Sequence, residues 1–521
     1  MHAIASESWD AIVIGSGIGG LAAAAALAKD GKRVLVLERH TQLGGLTQSF
    51  ERNGFRFNVG VHYIGGAGET DGRAGPAKKV FDALTPHGIP MASMGTVYDR
   101  VHFPGMTLDF EHPAGRLVQS LKARFPADAA GIDRFFDSLQ QARKALDAVL
   151  AAHSMPQLVS RGLMWWKDEQ IQRWVGRTLM DVIRECVGDP KLQAVLAAQW
   201  GDHGGRPSQA SFALHAAVMS SYFEGAWYPV GGSAVFAGAF AEGIRAAGGD
   251  LRTGETVAAI RVHDGRVLGV TLDTGASIDA PCVVSDAGAR NTLRMLPSEE
   301  VDYDWARDAL EIEPSVGYVG LYLGLEGDVA ANGASTANDW IYETWDVDQL
   351  WRNPLIEPDA PMMFVSFPSL KDPKHDPGER NRHTCEIVTF VDPDAFTPWE
   401  HESMKKGEAR DPGYLELKEK IEQNLLGQFA RHYPRLAPMV RYVTSSTPIS
   451  VATYTGAEHG AMYGLATTPE RFLSDALRPR TPIGGLFLAG QDACCPGVTG
   501  ALLGGLMAAV SAAPRLLALL R

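Results

Sequence analysis

Cysteine is scarce and scattered. Five thiols, Cys186, Cys282, Cys385, Cys494 and Cys495, serve 521 residues, which excludes a disulfide-framed secreted scaffold, and no pair has zinc-site spacing. The adjacent Cys494 and Cys495 form only a strained bridge and read as small buried thiols. Basic charge is also short: 48 Lys and Arg stand against 61 Asp and Glu, a formal charge of −13, so the positive footprint of a nucleic-acid binder is missing. No apolar run is both long and unbroken. The two that approach membrane-span length, Ala11 to Ala28 and Ala493 to Pro514, are interrupted by clustered glycine, the second also by Pro496, and read as buried strand–turn–helix elements. The start, MHAIASESWD, carries Glu7 and Asp10 where a secretory leader needs a basic flank and an apolar core, so no leader and a reducing, cytoplasmic setting are expected. GxSxG, HExxH and Walker A patterns are absent, which removes the commonest hydrolase and P-loop readings, and no metal is expected.

What is there begins with a composition able to build a large core: 45% apolar and 21% charged residues, over a length that predicts two or three domains. The strongest local signal runs from Asp10 to Glu38. Ala11-Ile-Val-Ile14 predicts a buried parallel strand, GSGIGG a tight turn, Leu21 to Lys29 a helix, and Arg33-Val-Leu-Val-Leu37 a second strand. In this βαβ unit Gly15 permits the turn, Gly17 lets the backbone approach a pyrophosphate, and Gly20 lets helix and strand close-pack, with Ile18 and Gly19 between them at the helix N-terminus. Glu38 ends the second strand, where a carboxylate accepts from a ribose diol. Together these predict dinucleotide binding. Only one complete GxGxxG is present, so a second, dedicated NAD(P)H domain is not expected and the electron donor stays open.

Beyond Glu38 and Arg39 comes a second glycine pair, Gly44-Gly45, followed by Leu46. This resembles the extended fingerprint of glutathione-reductase-type flavoproteins. Far along the chain, residues 250–272 alternate around Asp264-Gly265, which predicts a β-hairpin. In those flavoproteins such a meander covers the adenine side, which implies a backbone contact near Val257. At the C-terminus, Gly485-Leu-Phe-Leu-Ala489 predicts a buried strand, followed by Gly490-Gln491-Asp492 and a helix opened by Gly497-Val498-Thr499-Gly500. This resembles the superfamily's final flavin motif, in which the Asp contacts the ribityl or pyrophosphate region and the helix N-terminus points at the isoalloxazine carbonyl. The cofactor implied is FAD.

With those residues in hand, the chain resembles the phytoene desaturase and carotenoid isomerase branch of the amine-oxidase-like flavoproteins, and within it the retinol saturase group. Asn58-Val-Gly-Val-His-Tyr-Ile-Gly65, Ser211-Phe-Ala-Leu-His215, Trp227-Tyr-Pro-Val-Gly-Gly-Ser233, Phe364-Val-Ser-Phe-Pro-Ser-Leu-Lys-Asp-Pro373, Gly460-Ala-Met-Tyr-Gly464 and Gly500-Ala-Leu502 carry it in order along the chain. The match is loose over 120–200 and 395–440, and Cys494-Cys495-Pro496 replaces a more usual aromatic-Thr-Cys run. The resemblance implies an α/β fold: a GR2-type Rossmann FAD-binding domain from residues 1–70, 226–300 and 440–521, and a discontinuous mixed α+β substrate domain from 71–225 and 301–439. Patterning adds an amphipathic helix over Ala127 to Ala151 and alternating strands over 361–392. The implied activity is FAD-dependent oxidoreduction at carbon–carbon double bonds of an apolar conjugated polyene such as a retinoid or carotenoid, in the saturating direction. Desaturation and redox-neutral isomerisation are alternatives; amine oxidation shares the fold, and a non-catalytic flavin-bearing lipid carrier is the rival of another class.

Four side chains are candidates for chemistry. His62 and Tyr63 lie in the glycine-flanked segment Gly60 to Gly66, which by resemblance faces the flavin ring, where they position substrate or move a proton; a structural pair is the plain alternative. Glu458, with His459 beside it, and Tyr463 sit where a substrate-domain loop returns to the cofactor. Residues 158–174 concentrate Met164, Trp165, Trp166 and Trp174 among Arg161, Lys167 and Arg173. That pattern predicts a helix burying its tryptophans, with peripheral contact to a lipid surface as the alternative.

Overall fold

The computed structural model describes residues 8–402 and 410–520. Its first layer is a five-stranded parallel sheet in the order Asp250–Thr253, Val34–Glu38, Ala11–Ile14, Val283–Ser285, Leu486–Leu488. The three central strands are buried throughout, as parallel strands covered on both faces must be. The alanine-rich helix Ile18–Lys29 has no polar face: Ile18 to Ala28 are all buried. It packs on the C-terminal helix Gly497–Ala512 almost backbone to backbone, since a Cβ on Gly505 would stand 2.0 Å from the Gly19 carbonyl oxygen. Ala11 to Ala28 is therefore an interior strand–turn–helix element and Ala493 to Pro514 an interior turn and helix, and no helix among the described residues is long and apolar enough to cross a membrane.

The hairpin expected at Asp264-Gly265 is present, with both residues at positive φ (49° and 67°) between antiparallel strands Val257–His263 and Arg266–Leu272. The strand Ser277–Asp279 completes a three-stranded meander. This mirror-image turn matches the twist of the strands it joins.

The second layer is a seven-stranded mixed sheet in the order Met106–Glu111, Val97–Phe103, Asn338–Tyr342, Met362–Ser366, Arg382–Val391, Gly317–Glu326, Val440–Ser446. Its strand Gly317–Glu326 shows period-two division of labour. Val319, Leu321, Leu323 and Leu325 pack with Leu417, Ile421, Leu425 and Phe429 of the helix Pro412–His432, while Tyr318 and Tyr322 face a large cavity on the other side. Val440–Ser446 belongs to this sheet, so the chain leaves it only after Ser446, later than the boundary expected at 440. A helical block completes this half. Its long helix, Ala129–His153, presents Ile132, Phe135, Leu139, Leu146 and Val149 as a buried stripe.

In the region of 158–174 the tryptophans divide. Trp174 is buried, but Trp165 and Trp166 are 83% and 74% exposed. The expected helix that buries them is corrected: two short helices, Gln157–Trp166 and Asp168–Trp174, meet at Lys167, and the first ends on the two exposed indoles.

Candidate active site

A cavity of about 1050 Å³ lies between the carboxyl ends of the parallel strands and the tyrosine face of the mixed sheet. That is the crevice where open α/β sheets bind ligands, and its volume stands at the top of the roughly 300–1,000 Å³ range of small-molecule sites. Of the residues singled out in the sequence, Gly15, Gly17, Ile18, Gly19, Glu38, Arg39, Gly44, Gly45, Leu46, Val257, Glu458, Tyr463, Asp492 and Val498 line it. Gly20, His62, Tyr63, Gly490 and Thr499 stand behind that lining.

The glycine turn is built for packing as much as for a ligand. Gly15 adopts φ +92°, and a Cβ on Gly20 would lie 2.3 Å from the Gly15 carbonyl oxygen. A Cβ on Gly17 would meet Asp286 Oδ2 at 2.5 Å, and one on Gly490 would meet Asp286 Oδ1 at 2.0 Å. The bare Cα of Gly17, expected to admit a pyrophosphate, thus makes room first for a buried carboxylate at the end of the strand Val283–Ser285. Asp286 accepts from the Gly20 N–H, yet burial, with Glu38 and Asp492 nearby, pushes its carboxyl up to about 7.

Glu38 is held by its neighbours: Oε2 accepts from the Ser16 N–H at 2.9 Å and the Ser16 hydroxyl at 2.6 Å, and Oε1 accepts from the His40 N–H at 2.8 Å. Both lone-pair directions of Oε2 are thereby taken, and Oε1 keeps one for a diol. Asp492 joins two loops, accepting from Ala289 N–H at 2.9 Å and Leu465 N–H at 3.2 Å. Arg39 donates to the Thr453 carbonyl at 2.8 Å. Glu458 accepts from Arg290 at 2.8 Å and also from Arg294, so its charge is matched by two guanidinium groups and its arrangement is that of a clamp across the rim.

His62 and Tyr63 enter a buried polar network. His62 Nδ1 stands 3.1 Å from Glu386 Oε2, close but not aligned as a hydrogen bond, and its ring leans on Phe364. The Tyr63 oxygen lies 2.9 Å from Asp99 Oδ2 and 2.7 Å from Asp202 Oδ2, and its ring stacks on Tyr222 at 4.7 Å. Lys371 donates to the His62 carbonyl at 3.0 Å, to Ser366 Oγ at 2.7 Å and to Asn338 Oδ1. Burial lowers this ammonium to about 7 against the pull of Asp99 and Glu386. Tyr463 reaches the cavity from the opposite loop, its backbone N–H donating to Ser315 Oγ at 2.9 Å. Asp99, Asp202, Asp286 and Lys371 escaped the sequence reading. Lys371 stood inside a quoted motif, but no spacing rule marks a lone buried charge.

The donor set fits FAD. A 12-residue helix opens on the cavity with no side-chain cap from its N-cap residue Gly17; Asp286 takes the Gly20 N–H, which leaves the Ile18 and Gly19 N–H groups for an anion; Glu38 is fixed at the second strand's end; and Gly45 faces Gly17 so closely that a Cβ there would lie 3.1 Å from the Gly17 Cα.

Comparison with known proteins agrees. The profile of the flavin containing amine oxidoreductase family matches residues 18–517. An all-trans-retinol 13,14-reductase of Rattus norvegicus is 32% identical, covering 96% of this chain and 85% of the relative. A chloroplastic prolycopene isomerase of an Oncidium hybrid is 25% identical, covering 94% and 81%. Cyclohexylamine oxidase from Brevibacterium oxydans superposes with a TM-score of 0.61 over 98% of both chains at 18% identity, a likeness of fold.

Proposed function

The chain belongs to the flavin containing amine oxidoreductase family, and from that premise we propose that it reduces a carbon–carbon double bond of an apolar conjugated polyene, with FAD as its cofactor. The observation that carries the substrate class is the 32% identity, over 96% of the chain, to a relative named for reducing the 13,14 bond of all-trans-retinol. The aromatic wall of Tyr318, Tyr322 and Tyr463 supports it, since a flat apolar chain lies against such faces without leaving a polar group unpaired.

The glycine turn and the uncapped helix N-terminus would hold the pyrophosphate, Glu38 the ribose, the backbone at Val257 the adenine side, and the segment from Gly490 to Thr499 the ring end. When bound, the flavin supplies the hydride, which is the cofactor's chemistry. The protein's part is to hold the polyene against the tyrosine wall, to exclude water beneath the mixed sheet and to supply a proton at the Tyr463 phenol. Residues 1–70, 226–300 and the segment after Ser446 would make the cofactor half, and the intervening pieces the substrate half.

The test is anaerobic. Enzyme reduced with dithionite is mixed with all-trans-retinol, with a carotenoid or with a primary amine. Reoxidation of the flavin by a polyene supports the reading. Polyene inertness together with amine-driven reduction of the oxidised enzyme overturns it. The isomerase relative favours one second outcome: a shifted polyene band while the flavin stays reduced would mark a redox-neutral isomerase.

A further inference from the structure

The Tyr63 phenol has one proton, yet two carboxylate oxygens lie within hydrogen-bond distance of its oxygen, Asp99 Oδ2 at 2.9 Å and Asp202 Oδ2 at 2.7 Å. If both carboxyls were ionised, one of these contacts would be oxygen against oxygen with no hydrogen between them. Tyr63 is 9% exposed and Asp99 0%, while Asp202 is half-buried beside them. An unmade contact of that kind is too costly to persist in such a setting. One of the two carboxyls therefore carries a proton of its own.

The remaining partners decide which. Asp99 also accepts from Gln199 Nε2 at 2.7 Å and from Asn338 Nδ2 at 2.9 Å, donors that favour the charged form. Asn338 in turn accepts from Lys371, so the charge on Asp99 has a cation one amide away. Asp202 has the phenols of Tyr63 and Tyr222 and faces the Asp99 charge. Tyr98, Tyr342 and Tyr463 are the other titratable groups that feel it. His203, next in sequence, is engaged by His215 at 3.1 Å and by the Gly205 N–H at 3.2 Å. Burial and the Asp99 charge both push the Asp202 carboxyl well above the ordinary carboxylate range.

We propose that Asp202 is a resident carboxylic acid, kept protonated by the phenol it shares with Asp99, and that it restocks Tyr463 with the proton that completes saturation in the cavity. The geometry links the pair to the cavity through Tyr463, which lines the cavity and packs on the loop after Asp202: a Cβ on Gly204 would lie 2.4 Å from Tyr463 Cδ2. The proton balance is simple. The O–H bond of Tyr463 breaks as the C–H bond forms, the accompanying hydride being what the bound flavin supplies. The Asp202 proton then restores the phenol, and the carboxylate left beside Asp99 recovers its proton from solvent. Tyr463 is the catalytic residue of this step and Asp202 a positioning residue. Delivery rests on the polyene reading above; the protonated acid does not.

The experiment has two arms on FAD-loaded enzyme at pH 8. Infrared difference spectra of wild type against Asp202→Asn are expected to show the carbonyl stretch of a protonated carboxylic acid in the wild type and its loss in the variant. A band that persists in Asp202→Asn, or is absent from wild type, overturns the assignment. Should Asp202→Asn fail to retain FAD, Tyr63→Phe removes the shared oxygen and is expected to shift or abolish the same band; an unmoved band overturns it equally. In the turnover arm, Asp202→Asn is expected to lower kcat by about 10²-fold, with KM within threefold and the alkaline limb of the pH profile moved. Tyr463→Phe is expected to lower kcat similarly while keeping both FAD and the infrared band. Full turnover in Tyr463→Phe with the band assigned to Asp202 overturns delivery but not the acid. A wild type that keeps the band but converts no polyene overturns the polyene reading alone.

Discussion

The two polar centres of this molecule are built in opposite ways. Around the glycine turn, three carboxylates, Glu38, Asp286 and Asp492, share one end of the cavity, and their main partners are backbone N–H groups and the Ser16 hydroxyl. Around Tyr63, by contrast, six side chains from five distant segments, Tyr63, Asp99, Gln199, Asp202, Asn338 and Lys371, satisfy one another. The first arrangement leaves the Ile18 and Gly19 N–H groups at the helix start open toward a ligand; the second closes on itself and stores a proton. The difference separates binding from chemistry: fixed backbone dipoles hold a bound anion, whereas a closed network of titratable groups can exchange a proton without admitting water.

The largest effect expected tests the packed side of the glycine centre. Gly505→Val would drive a side chain into the Gly19 carbonyl, and a backbone obstacle has no rotamer to move, so a loss of about 3 kcal/mol or more is expected. Chemical denaturation with FAD content as a second readout measures it. A folded variant with full FAD would show that the two helices are not in contact.

Next comes the closed network. Lys371→Met removes the donor shared by the His62 carbonyl, Ser366 and Asn338, and the stranded acceptors are expected to cost about 2–3 kcal/mol. The pH dependence of the FAD-free protein sharpens the point. Asp286, raised to about 7, and Asp99, raised to about 6, hold protons in the fold that the unfolded chain has released. Their contribution is therefore full below about pH 4 and lost as pH rises to 7. Lys371 runs the other way: its folded value of about 7 means that stability returns as pH climbs from 7 toward the ordinary lysine value. Asp286→Asn isolates one of these carboxyls: it is expected to gain about 2 kcal/mol at pH 8 and nothing at pH 4. Equal gains at both would show that the carboxyl is not titrating there.

A smaller effect separates the two duties of Gly17. Gly17→Ala is expected to weaken FAD about tenfold, roughly 1.4 kcal/mol. If the methyl clashes with Asp286 rather than with the ligand, Asp286→Ala should relieve it, giving a coupling of about 1 kcal/mol in a double-mutant cycle read by FAD affinity. Additivity would return Gly17 to the pyrophosphate. The smallest effect concerns Glu458: matched by Arg290 and Arg294, its change to Gln is expected to alter kcat by less than about threefold.

The sequence made the first centre legible and hid the second, for a physical reason. Ala11–Ile14, Ile18–Lys29, Val34–Glu38 and the turn at Asp264-Gly265 each announce themselves over a few residues, because strand period, helix propensity and positive φ are local properties. Glu38, Val257 and Asp492 follow from those elements to the cavity wall. Asp202 sits in Trp200-Gly-Asp-His203, where no motif marks it, and only the tertiary fold sets it against Tyr63 and Asp99. Val440–Ser446 escaped for a related reason: a short alternating run suits either sheet, and its pairing with Gly317–Glu326 decides. The division of the helix at Lys167 is signalled by no breaker residue, and the exposure of Trp165 and Trp166 is set by what packs on that helix.

Double-bond reduction is tested most directly by its stoichiometry. Enzyme reduced with one equivalent of dithionite, free of oxygen, is titrated with all-trans-retinol while the flavin and polyene bands are followed together. One flavin reoxidised for each double bond lost is the result expected of a saturase. A polyene band that changes while the flavin stays reduced, or a flavin that reoxidises with the polyene intact, would contradict it.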